Sequence, residues 1–180
     1  MARLVSFLAV FLIPLTASSA AAAGSLSPAL GGSGDAFVTN CSDDEVLVGV
    51  RVRADAWLDS IASRCVKVTD AGAWQGTVRT LAFAGGTGGF PATRDCPRNY
   101  AVSGFSGRGS AFVNRLRLEC RRLTSPTALR SNSAPRQTAF VGGRGGEAFE
   151  PFHCPEDRPV TGLQGRVGGY VDQLQLSCGR

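Results

Sequence analysis

The 180-residue sequence holds one histidine, His153, and one lysine, Lys67. A Ser-His-Asp triad would have to use His153 as its base, and His153 stands beside Cys154 in a cysteine pair expected to be structural. No Cys-x-x-Cys spacing occurs, and with one imidazole the chain has no zinc ligand set. No metal or other cofactor is implied. The Gly-rich segments lack the Lys-Ser/Thr that completes a phosphate-binding P-loop. Paired carboxylates for glycoside hydrolysis are thin, the densest run being Asp43-Asp44-Glu45, which reads as a solvated loop where a strand begins. Catalysis is therefore not expected, glycoside hydrolysis being the minor alternative. Helical periodicity is missing beyond the N-terminus, and no segment is apolar over the length a bilayer crossing needs.

What is present begins with a leader. A positive start at Arg3, an apolar run from Leu4 to Leu15 and small residues from Thr16 to Gly24 describe a secretory signal peptide. We place it at residues 1–23, with cleavage near Ala20 to Gly24 and a flexible lead-in over 24–30. No cysteine follows the apolar run, which argues against a bacterial lipid anchor. The expectation is an exported protein without membrane insertion, extracellular or periplasmic in a Gram-negative source. The formal charge is +5 and comes almost wholly from arginine. Apart from Arg115, Arg117, Arg121 and Arg122 the charges are scattered, so nucleic acid is not an expected partner.

The mature chain repeats itself. Cysteines at 41, 65, 96, 120, 154 and 178 form three pairs, each 24 positions apart. Counted from the first cysteine of each pair, the same residue types recur: Gly49, Gly104 and Gly162; then Arg53, Arg108 and Arg166; then the aromatics Trp57, Phe112 and Tyr170. Asp59, Asn114 and Asp172 follow, and then Ile61, Leu116 and Leu174. Self-similarity at a fixed period is the first thing that decides a fold. It divides residues 31–180 into units at about 31–82, 83–139 and 140–180. Six cysteines allow 15 pairings. If the units are equivalent, the simplest solution is Cys41–Cys65, Cys96–Cys120 and Cys154–Cys178, in the oxidising compartment that export provides.

Each unit reads as strands. Val113 to Cys120 and Val171 to Cys178 alternate apolar and polar residues at period two, the pattern of a half-buried strand. Val160 to Arg166 forms a preceding strand, and Val167-Gly168-Gly169 between the two is a turn signal. Each unit thus holds a hairpin, with its cysteine pair at the open end. Glycine clusters at Gly31 to Gly34, Gly85 to Gly89 and Gly142 to Gly146 precede the units, and each leads to a phenylalanine expected to anchor a strand in the core: Phe37, Phe90 and Phe149. Segments 66–82 and 121–140 have room for a further strand each. Three equivalent sheets with one apolar face each pack as a prism about a pseudo-threefold axis. A two-sheet sandwich is the alternative, but it gives no reason for a threefold repeat.

The last unit carries a recognisable pattern: the glycine cluster from Gly142, then Cys154, then Val160 to Asp172 with the loop Gly168-Gly169-Tyr170-Val171-Asp172. It resembles the jacalin-related lectins, and the threefold cysteine pattern is also similar to the vitelline membrane outer layer proteins. The resemblance spans about residues 31–180. It implies an all-β fold, β-prism I, with three antiparallel Greek-key sheets in pseudo-threefold symmetry. It further implies a secreted, non-catalytic, carbohydrate-binding protein whose partners are glycans or glycoconjugates. By its motif the site comprises Gly168, Gly169, Tyr170, Val171 and Asp172, faced by Gly31 and Gly32. A carboxylate accepts two hydroxyl donors in charge-assisted bonds. The alternative is a structural component of an extracellular coat without sugar affinity. On that reading the recurring aspartate bonds its own turn, the recurring aromatic is prism core, and the recurring arginine holds a strand end. Only the third unit has the full G-x-x-x-D loop, because Asp55 and Ser110 stand where Gly168 does.

Overall fold

The computed structural model describes residues 30–179, so the expected leader (1–23) and nearly all of the lead-in lie outside the described residues. The chain forms strands β1 (Leu30–Gly31), β2 (Asp35–Asn40), β3 (Glu45–Ala54), β4 (Leu58–Val68) and β5 (Trp74–Thr80). Then come β6 (Ala84–Gly85), β7 (Phe90–Asp95), β8 (Tyr100–Gly109), β9 (Val113–Ser125), β10 (Ala128–Leu129) and β11 (Arg136–Gln137). The remaining strands are β12 (Val141–Gly142), β13 (Glu147–His153), β14 (Val160–Val167) and β15 (Val171–Cys178), with one short 3-10 turn at Pro155–Asp157. Segments 66–82 and 121–140 supply β5, and β10 with β11.

Three antiparallel sheets result, each centred on one hairpin: β3/β4, β8/β9 and β14/β15. The first two hairpins are each flanked by two strands from the glycine-rich segment that follows, giving the orders β7-β3-β4-β6 and β13-β8-β9-β12. A fourth strand returning beside the first is the Greek-key arrangement. The third sheet, β2-β14-β15-β1, obtains its flanking strands from the N-terminal end of the described chain. The sheets are therefore cut out of phase with the sequence units, and the two ends of the described chain close one sheet.

This phase shift changes what the disulfides do. Cys41, Cys96 and Cys154 follow β2, β7 and β13 and still bond the sheet those strands belong to, through Thr161, Val48 and Ser103 carbonyls at 2.8–2.9 Å. Their partners Cys65, Cys120 and Cys178 lie in the hairpin of the next sheet. The pairing is the one expected from the repeat. Each bridge spans from one sheet to its neighbour, so three covalent staples run around the whole prism.

The main core fills the prism with inward residues of all three hairpins, among them Leu47, Val52, Ile61, Phe105, Leu118, Leu163, Leu174 and Leu176. A second, smaller core of Val46, Val48, Val66, Val68, Ala101, Leu123 and Leu129 lies under Trp74 and Val78 of β5. Strand β3 serves both cores through its two faces, Val46 and Val48 on one and Leu47 on the other, and a bulge between Leu47 and Gly49 turns Val50 and Val52 to the side of Leu47. The same bulge recurs at Val102/Gly104 and Val160/Gly162. The repeated glycine has a steric cause: a Cβ on Gly104 would lie 2.1 Å from the Phe152 carbonyl of the adjoining strand.

One expectation fails in the anchors. Phe37 and Phe149 pack on the core, but Phe90 is 73% exposed. Strand register explains it. Phe37 pairs with Gly165 and Phe149 with Gly107, each ring covering a glycine, whereas the equivalent pair in the first sheet is Ala92 with Val52. Large-on-small is replaced by small-on-large, the interior volume stays filled, and Phe90 falls two residues outside the anchor position. Glu45 is likewise not in a solvated loop: it is buried, with its carboxylate bonded to Arg79 at 2.5 Å and the Ser42 amide at 3.1 Å.

Candidate functional site

The candidate residues gather where the three hairpins turn, at the end of the prism away from the cysteines. Each turn closes the same way, with Asp55, Ser110 and Gly168 amides donating to Trp57, Phe112 and Tyr170 carbonyls at 3.0 Å. The three aromatic rings meet one another, with centroids 5.1–6.2 Å apart. They plug the end of the prism, so Tyr170 is committed to this cluster instead of standing free in a ligand site.

Around the rings lie the three glycine segments. The Gly32, Gly86 and Gly143 amides donate to the backbone carbonyls of Asp172, Asp59 and Asn114 at 2.6–2.9 Å. The next residues of each segment are clamped by the repeated arginine. Arg53 donates to Gly88 and Gly89 carbonyls, Arg108 to Gly145 and Gly146, and Arg166 to Gly34 at 2.8 Å. The recurring arginines thus hold the glycine loops in place. Gly31 pairs with Gln173 through β1 and β15, which sets the first glycine segment beside the last hairpin, as the expected site requires.

Asp172 is 4% exposed, yet its carboxylate is not bonded to its own turn. It points across to the glycine segment, where one oxygen stands 2.1 Å from the place a Cβ on Gly34 would occupy and 3.3 Å from that of Gly168. Only glycine at 34 leaves room for it. No hydrogen bond to this carboxylate comes from the described residues, and burial, with the nearby Asp35 carboxylate second, holds its pKa above the ordinary value. Gly168 and Gly169 beside it are exposed.

The other two units differ. Asp59 is 7% exposed and lies against both Gly88 and Gly89; burial and then Asp55 raise its pKa, opposed by a hydrogen bond from its own backbone and then by Arg53. Asn114 is occupied: with its amide oxygen turned to the indole it accepts from Trp57 Nε1 at 3.0 Å and donates to the Phe112 carbonyl at 3.2 Å. The structure therefore brings Gly31, Gly32, Gly168, Gly169 and Asp172 together, while the Val171 side chain, 0% exposed, turns inward into the main core. Gly34 and Asp35 belong beside them and were not anticipated. The signal was there in register: Gly34, Gly89 and Gly146 take equivalent places, and the loop over Asp172 is one residue shorter than the other two.

Two cavities among the described residues lie elsewhere. A groove of about 720 Å³ at the cysteine end is lined by Asn40, Asp43, Thr161, Gln164 and Ser177. A pocket of about 260 Å³ lies beside Ser103, Arg121 and His153. The site at Asp172 is a shallow recess. The clustered arginines are engaged: Arg115 and Arg117 stack on Phe140, and Arg121 pairs with Asp157 at 2.6 Å.

A prism of three Greek-key sheets with a glycine segment facing a G-x-x-x-D turn defines the jacalin-like β-prism fold. The solved structures agree. A Malaysian banana lectin is 18% identical with a TM-score of 0.61, over 86% of this chain and 97% of its own. Frutapin, a lectin from Artocarpus incisa, is 13% identical with a TM-score of 0.62, over 89% and 99%. A mannose binding jacalin related lectin from Ananas comosus is 16% identical with a TM-score of 0.59, over 87% and 97%. No protein-family model and no curated sequence matches the chain. The similarity to vitelline membrane outer layer proteins rests on the cysteine pattern alone.

Proposed function

We propose that the protein is an exported lectin-like protein that binds a glycan at the recess between Gly168–Asp172 and Gly31–Gly34, without catalysis. The observation that carries this reading is the Asp172 carboxylate. It is buried, left without a donor by the described residues, and held between two glycine backbones. An aspartate needed only for its turn would be bonded there. Hydroxyl donors of a sugar satisfy such a group, and the surrounding glycines let a ring approach the backbone. Solved proteins of the same fold are described as lectins, one of them as mannose binding, which makes hexosides the first ligands to try. Three disulfides fit an oxidising exported setting, and among the described residues no helix is long and apolar enough to cross a membrane.

The test is calorimetry against simple hexosides and a glycan array, with Asp172→Ala as control. Saturable binding lost in the variant supports the proposal. Absence of any sugar binding, or binding indifferent to Asp172→Ala, overturns it. A second site at Asp59 is favoured by its two loop glycines, and predicts two sugars bound per chain with Asp59→Ala removing one.

A further inference from the structure

We infer that the Asp172 recess selects a cationic sugar, an amino sugar whose ammonium group sits between Asp172 and Asp35. The inference rests on the lectin reading above and narrows its ligand class. Asp35 opens β2 opposite Val167, one residue after the Gly34 that touches the Asp172 carboxylate. At the equivalent places in the other sheets stand Phe90, opposite Ala54, and Glu147, opposite Gly109. Asp35 is exposed while Asp172 is 4% exposed, so one carboxylate forms the floor of the recess and the other its rim. Asp35 is close enough to oppose the ionisation of the buried Asp172.

No cation among the described residues offsets this pair. Arg166 spends its guanidinium on the Gly34 carbonyl. A neutral hexose would hydrogen-bond Asp172 and leave the like-charge pair uncompensated. An ammonium group supplies three donors and the missing charge together. In the first unit a second carboxylate, Asp55 in the hairpin turn, lies near the buried Asp59, but there Arg53 offsets it. In the second unit the buried place is held by Asn114, which is bonded to Trp57 and carries no charge. Asp59, however, accepts a bond from its own backbone and has Arg53 near it, so Asp172 is the less compensated of the two buried carboxylates.

The experiment compares glucosamine, N-acetylglucosamine and mannose by calorimetry, below the pKa of the free amine, in the full-length secreted protein. Glucosamine is expected to bind roughly fivefold tighter than either neutral sugar, the worth of one partly exposed ion pair, with the advantage shrinking as salt is added. Asp35→Asn is expected to bring the ratio of glucosamine to mannose affinity from about five down to about one, while Asp172→Asn removes binding of all three. Mannose binding that depends on Asp172 but equals glucosamine binding overturns this inference and leaves the lectin reading intact. A requirement for calcium overturns it as well, since a divalent ion would then occupy the carboxylate pair. Failure of all three sugars to bind removes both proposals.

Discussion

Replacing Asp172 by asparagine should make the protein more stable at neutral pH while destroying its binding. The substitution keeps the shape, and Asn114 already fills the corresponding place in the second unit. It removes a charge that is 4% exposed and has Asp35 beside it. A neutral amide at this place avoids the desolvation of a charge and the repulsion from Asp35, an excess cost on the order of 1–3 kcal/mol for a buried charged group left without donors. The recess is open at Gly168 and Gly169, so the lower end applies, and we expect a gain of about 1 kcal/mol. At a urea slope of about 2 kcal/mol per M, the midpoint should rise by about 0.5 M. The effect has a defined pH dependence. In the unfolded chain Asp172 ionises near the ordinary value of 3.8, and in the fold it ionises at higher pH. Stability is thus full below the unfolded value and is lost as pH rises through the raised folded value. The asparagine variant lacks this loss. Urea titrations should show the gap between the two proteins widest at neutral pH and closing in acid. A variant less stable than the parent at neutral pH would mean that the carboxylate is bonded within the fold, which would refute its assignment to ligand binding.

Other consequences are directly measurable. Sugar affinity should fall as pH drops through the raised pKa of Asp172, because protonation removes the charged acceptor; calorimetry across mildly acidic pH reads this, and a flat profile counts against the site. Gly34→Ala should abolish binding with little change in circular dichroism, since its Cβ would enter the space held by the Asp172 oxygen, 2.1 Å away; retained affinity would place the ligand elsewhere. Replacing Cys96 and Cys120 by alanine together should cost roughly 3 kcal/mol by chain entropy, seen as a lower urea midpoint, and an unchanged midpoint would show that the staple does not restrain the unfolded chain. Trp57→Ala breaks two ring contacts and the bond to Asn114, so its melting temperature should fall by an amount worth about 2 kcal/mol; a neutral effect would remove the ring cluster from the account of stability.

Much was legible in the chain because local chemistry repeats at a fixed spacing. The 24-residue cysteine interval, the period-two strands and the glycine turns determine three hairpins, their pairing of cysteines and their threefold packing. Those features depend on neighbours a few residues apart, which any single unit displays. Which sheet each strand joins is different. The glycine segments pack on the hairpin before them, and β1 and β2 on the hairpin at the far end of the chain, and no local pattern carries that information. Only this exchange turns the disulfides from hairpin clasps into links between sheets. It also sets Gly34 and Asp35 against Asp172, more than 130 residues away in sequence. Tyr170 shows the same division. The sequence marks it as a recurring aromatic, but its engagement with Trp57 and Phe112 follows from the three turns converging on one axis. The sequence by itself determined the unit and its symmetry. The tertiary structure decided which carboxylate is buried against the glycine segment with no hydrogen bond from the described residues, because burial and contact at the recess are properties of three units assembled together and of no unit alone.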